Sequence, residues 1–182
     1  VGVALPLNAL QILWVNFFSY SFPAVSLAFE EREGHLNKGP AFTGGKLLDR
    51  EMKFLIWVVG IITSLFLLSL YFYLLSKGFD GQLVRTFIFA AFSVDTLFSI
   101  FSIRSLGGSI IRSNPLSNRY LIFGVLAGFG LTGLAIYLPA LQTVLDTVAL
   151  SPLWLAGVAA VGSVNILAIE LCKFVFRRGG KS

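Results

Sequence analysis

The sequence predicts an all-α membrane protein, a bundle of about five transmembrane helices with the first broken near Pro23. Three observations lead there. The 182 residues are 56% hydrophobic and only 13% charged, about half the roughly 25% charge of a soluble domain, and the mean hydropathy is +0.83. The 18 Phe and 5 Tyr suit lipid-facing and interfacial positions. Five apolar runs, at residues 4–29, 54–76, 83–103, 120–141 and 153–175, each approach the roughly 20 residues that a helix needs to cross a bilayer. Strand-like alternation is absent, which argues against a barrel.

The first run departs most from a plain anchor. Asn8, Gln11, Asn16, Ser19, Tyr20 and Pro23 share one half of a helical wheel, and Asn16, Ser19 and Tyr20 are neighbours at i, i+3 and i+4. Pro23 lacks the amide that would bond the Ser19 carbonyl, so an acceptor is freed within that polar face. A broken helix at membrane depth is tolerated only where protein or water covers it. Freed carbonyls and side-chain oxygens can replace a cation's hydration shell. The other reading is a proline kink with ordinary interhelical hydrogen bonds.

The second run carries no charge. The third holds Asp95 near its middle, where an aspartate costs on the order of 3 kcal/mol. It is expected to face the bundle interior, with Thr96, Ser99 and Ser102 continuing a polar stripe. Asp95 then belongs to an ion or proton path, or is a packing residue that is protonated or hydrogen-bonded. In the fourth run Gly124 and Gly128, and in the fifth Ala156 and Ala160, stand at the spacing that lets helix backbones approach closely. The fifth run also carries Asn165 and Glu170, the latter placed for a local ion pair with Lys173, unless Lys173 snorkels to the interface.

The links between the runs differ in charge. Arg32, Lys38, Lys46, Arg50, Lys53, Arg104, Arg112, Arg119, Lys173, Arg177, Arg178 and Lys181 fall on one side, and only Lys77 and Arg85 on the other. The positive-inside rule puts the larger group in the cytoplasm, with Val1 outside and Ser182 inside. This topology accounts for the net charge of +5 without nucleic acid, since there is no basic stripe with interleaved aromatics. Cys172 is the only cysteine and His35 the only histidine, so neither an intrachain disulfide nor a zinc site is expected. The chain begins at Val1 with Met52 its only methionine, and no basic segment precedes a short apolar core. With Val1 placed outside at the very edge of a span, an earlier helix is expected upstream. There is no P-loop, H-E-x-x-H pair, nucleophile elbow or kinase signature, and hence no expected catalytic residue or bound cofactor in this chain.

The order of certain residues resembles the P-type cation ATPases. Gln11, Leu13, Trp14 and Asn16, followed by Pro23-Ala24 and a small apolar run ending at Glu30, resemble the sixth transmembrane helix of that family. Arg85-Thr86 with Phe101 and Arg104-Ser105 is similar to the eighth helix, Asn114-Pro115 with Asn118 to the entry of the ninth, and Glu170-Leu171 with Lys173-Phe174 to the end of the tenth. The resemblance implies that residues 1–182 are the C-terminal transmembrane transport domain, the sixth to tenth helices of an ATP-driven cation pump. It implies ATP and Mg²⁺ for the full-length protein, used in domains carrying a D-K-T-G-T motif that does not occur here. The implied partners are the lipid bilayer, the N-terminal part of the same polypeptide and the transported cation.

Carried over residue by residue, Asn16 matches a family cation ligand, and Ser19 stands where calcium pumps have a ligand threonine. Thr96 falls where the family has a Glu or Gln ligand, with Asp95 just before it. Asn16, Ser19, Asp95 and Thr96 are thus the candidate cation pathway. Tyr20 stands where calcium pumps have an aspartate, and losing that carboxylate weakens a site for a hard divalent ion. The alternatives are a non-transporting membrane scaffold or assembly subunit, and an ion-coupled secondary transporter.

Overall fold

The computed structural model describes residues 5–21, 25, 50–104 and 119–179. Its elements are α1 (Ala9–Trp14), a π-helical segment (Val15–Tyr20), α2 (Arg50–Ser76), α3 (Gly81–Arg104), α4 (Arg119–Tyr137), α5 (Pro139–Leu145) and α6 (Pro152–Gly179). No strand occurs among the described residues. The predicted break at Pro23 and the basic loop around Lys46 lie outside those residues, and so does the Lys173 side chain of the expected Glu170–Lys173 pair. Within them, the first helix already leaves α geometry at Val15, eight residues before the proline.

α3 is the hub. It packs most extensively on α6, and also on the π-helical segment, α2 and α4. Val84, Phe87, Ile88, Phe89, Ala90, Ala91, Val94 and Leu97 are all buried, and so are Thr86, Ser93, Asp95 and Thr96. A helix covered on every side needs no polar face, which is why its sequence lacks a clear amphipathic period. Small residues set its close approaches. A Cβ on Gly128 of α4 would stand 2.6 Å from a Leu97 methyl, and one on Gly162 of α6 would stand 2.9 Å from the Phe98 ring.

The face of α6 differs from the one expected. Ala156 and Ala160 are exposed, whereas Gly157, Val158, Val161, Gly162 and Asn165 turn toward the bundle. The small-residue spacing alone selects a possible face, and Asn165 together with the two valines selects the one used.

The helix expected over 120–141 ends at Tyr137. Pro139 is the cause: Leu138 before it takes an extended conformation, φ −85° and ψ 117°, and α5 starts anew with the proline in its first turn. Without its amide, Pro139 leaves the Ala135 carbonyl unpaired. The Thr147 hydroxyl donates to that carbonyl at 2.6 Å, and Gln142 Nε2 donates to the Ile136 carbonyl at 2.5 Å. The chain then turns through Asp146, whose φ of +54° is the one positive value at a non-glycine among the described residues.

One end of the bundle is tied together by polar contacts. Asn8 and Gln11 form a capping box at the start of α1, with Gln11 N donating to Asn8 Oδ1 at 2.8 Å and Asn8 N to Gln11 Oε1 at 3.1 Å. Both side-chain amides also donate to the Leu145 carbonyl, at 2.9 and 3.1 Å. These two polar residues of the first run are thereby consumed in capping and docking. Asp80 caps α3, accepting from Gln82 N at 3.0 Å and Leu83 N at 2.9 Å. Arg85 pairs with Asp146 at 2.6 Å, and Gln82 Nε2 donates to the other Asp146 oxygen at 2.7 Å. Lys77 and Arg85 therefore lie at this end, while Arg50, Arg104, Arg119 and Arg177 occupy the opposite ends of their helices.

Candidate functional site

Asp95 lies on α3 with α2 and α6 beside it. Asn165 of α6 donates its side-chain amide to Asp95 Oδ1. The Thr63 hydroxyl of α2 donates to Asn165 Oδ1 at 2.8 Å. All three side chains are buried, Asp95 to 6% exposure. A carboxylate so placed keeps a partner, as burial of a polar group requires.

Thr96 is buried beside it, with its hydroxyl returned to the Phe92 carbonyl at 2.8 Å. Successive helical residues are about 100° apart, so Asp95 and Thr96 look in different directions. Phe87, Val94 and Phe98 lie against α6, and Leu97 lies against Gly128 of α4. Thr96, Ser93 and Phe89 share a further arc of α3, distinct from those two. Thr96 is thereby oriented away from the Asp95–Asn165 contact.

The π-helical segment packs against α3 and α4. Val15 and Ser19 are buried on it, whereas Asn16 and Tyr20 are exposed on the described chain. Asn16 and Ser19, expected as neighbours on one α-helical face, are separated in this way because i→i+5 bonding widens the turn. The Ser19 hydroxyl and the Trp14 indole N–H are buried without a partner among the described residues. Ser21 Oγ donates to the Asn16 carbonyl at 3.3 Å. An unpartnered buried hydroxyl on a π-helical turn is costly to keep, and such turns concentrate at functional sites.

The structure thus places Ser19, Asp95 and Thr96 inside the bundle and Asn16 on its surface. No three His, Cys, Asp or Glu side chains among the described residues are grouped to hold a metal ion. Two participants were not singled out from sequence. Asn165 carries the same signal as Asp95, a polar group mid-run, but Thr63 is one hydroxyl in a run without charge and nothing in its surroundings marks it.

Residues 4–175 match the family described as cation transporting ATPase, C-terminus. The chain is 30% identical over 157 residues to a calcium-transporting ATPase of Bacillus subtilis, covering 84% of this chain and 17% of that protein. It is 32% identical over 179 residues to a probable cation-transporting ATPase F of Mycobacterium bovis, covering 92% and 19%. It is 31% identical over 173 residues to the human calcium-transporting ATPase type 2C member 1, covering 94% and 19%. The chain therefore spans less than a fifth of the length of these relatives.

Proposed function

The chain belongs to the P-type cation-transporting ATPases, as their C-terminal region, and from that premise we propose that it supplies helices to the ion pathway of an ATP-driven cation pump. The observation that carries this reading is Asp95, a carboxylate buried at a three-helix junction in a bundle whose outside is apolar. Leu153 is 82% exposed, Phe123 71% and Leu167 68%, so the exterior suits lipid while the polar groups gather within. Among the described residues, Arg119–Tyr137 is long and apolar enough to cross a membrane, and Gly60–Ser76 and Pro152–Ala168 are shorter apolar helices.

In this reading the protein is a multi-pass membrane protein with the Ser182 end in the cytoplasm. Asp95 serves the cation path from within the bundle, and Thr96 and Ser19 contribute to it from other arcs of their helices. Asn16, on the outer side of the π-helical turn, faces it from the side that the rest of the polypeptide covers. ATP and Mg²⁺ act in domains elsewhere in that polypeptide, and phosphorylation there shifts the helices so that the path opens alternately to either side. The transported ion is a cation. The named relatives include calcium-transporting ATPases, but Tyr20 replaces an expected carboxylate and a Ca²⁺ site draws on 6–8 oxygens.

The test uses the full-length pump. Asp95→Ala and Asn16→Ala are each expected to lower cation-dependent phosphorylation more than they lower expression. Unchanged cation dependence in Asp95→Ala would return Asp95 to a packing role. Tyr20→Asp, which adds back a carboxylate, is expected to raise affinity for a divalent ion in the same assay.

A further inference from the structure

We propose that Asn165, itself held by Thr63, is a positioning residue that fixes the Asp95 carboxylate for the transported cation. The proposal rests on the reading of Asp95 as part of the ion pathway.

An ionised carboxylate only accepts hydrogen bonds, whereas a side-chain amide has a donating and an accepting end. With its NH₂ on Asp95 Oδ1, Asn165 must turn its oxygen away, toward α2. That buried oxygen needs a donor, and the Thr63 hydroxyl provides it at 2.8 Å. The amide is thus held at both ends, and its orientation follows from the charge it serves.

Thr63 behaves unlike its counterparts. Ser93, Thr96 and Thr132 are buried helical hydroxyls, and each donates to the carbonyl four residues back on its own helix, at 2.9, 2.8 and 2.9 Å. That is the local default for a hydroxyl within a helix. Thr63 directs its proton across to another helix instead. The consequence appears at Asp95: the amide bond to Oδ1 fixes the rotation of the carboxylate. Asn165 thereby sets the orientation in which the carboxylate meets the ion without touching the ion itself.

The experiment is done on the full-length pump. Ca²⁺, Mn²⁺, Na⁺ and K⁺ are each titrated against phosphoenzyme formation from ATP. For the cation that drives phosphorylation, Asn165→Leu is expected to raise the half-saturating concentration about ten-fold. The maximal level per folded protein should stay within about two-fold, the pattern of lost ground-state binding. Thr63→Val should shift the half-saturation in the same direction by less, and Thr63→Ser, which keeps the hydroxyl, should restore it. In an Asp95→Ala background, Asn165→Leu should add nothing further. A lower maximum with unchanged half-saturation in Asn165→Leu, while Asp95→Ala does shift it, overturns the positioning role and leaves Asp95 in the pathway. Unchanged half-saturation in Asp95→Ala, or no cation that stimulates phosphorylation, overturns the pathway reading and this proposal with it. If Asn165→Leu fails to accumulate, Thr63→Val against Thr63→Ser makes the same decision: an equal half-saturation in both overturns the proposal.

Discussion

Close contact at single residues sets where this bundle tolerates change. A methyl on Gly162 would lie 2.9 Å from the Phe98 ring and 3.0 Å from a Val94 methyl. Val94, buried and β-branched, has little room to give way. Gly162→Ala is therefore expected to destabilise the protein by about 1–3 kcal/mol. Gly130 is the control, because a Cβ there meets nothing within 4 Å. Gly130→Ala should be neutral or stabilising, as alanine favours helix over glycine. Thermal unfolding of the full-length protein in detergent checks both, and equal melting temperatures would contradict the packing described. At this scale the sequence was informative about Asp95, because a mid-span carboxylate is too costly to leave facing lipid. It was silent on Thr63, because a hydroxyl can satisfy itself on its own helix and so carries no demand visible from outside.

Elements obey rules that are more legible. Long apolar runs translate into helices because the apolar surroundings leave the backbone no other partner. The failures come where local chemistry interrupts a run without changing its hydropathy. Pro139 sits within an apolar stretch, and the helix stops before it although apolar residues continue to Leu141. Asn16 and Ser19 diverge because a wheel drawn for α geometry does not describe a π-helical turn. The α4–α5 corner also yields a test. The Thr147 hydroxyl replaces the donor that Pro139 lacks, at 2.6 Å from the Ala135 carbonyl. Thr147→Val keeps the shape and orphans that buried acceptor, with an expected loss of about 1–3 kcal/mol. Thr147→Ser should recover most of it. A Thr147→Val protein as stable as its parent would mean that the corner is satisfied in some other way.

For the whole molecule, the five-run pattern conveyed a helical assembly, but which faces meet was decided by a few polar and small side chains. Ala156 and Ala160 have the right spacing and the wrong orientation, since Asn165 turns the neighbouring face of α6 inward. Two expectations belong at this scale. Residues 1–182 expressed alone should show no ATP hydrolysis above a vector-only preparation, because no phosphorylatable motif lies within them. Single cysteines introduced near Lys46 and at Ser182 should resist a membrane-impermeant thiol reagent in intact cells. Ready labelling at those positions would invert the proposed topology.

The enclosure of α3 has a consequence for time rather than for space. From Val84 to Leu97 nearly every side chain is buried, with neighbours in four directions, so its amides can meet solvent only when several elements separate together. Exchange of those hydrogens for deuterium is governed by the rarest opening in the molecule. The π-helical turn lies at the margin, with exposed Asn16, Phe17 and Tyr20. The same measurement on the full-length protein should find a slow clock in α3 and a fast one at Val15–Tyr20. The buried Asp95 carboxylate thus sits on the slow part and the π-helical turn on the fast one.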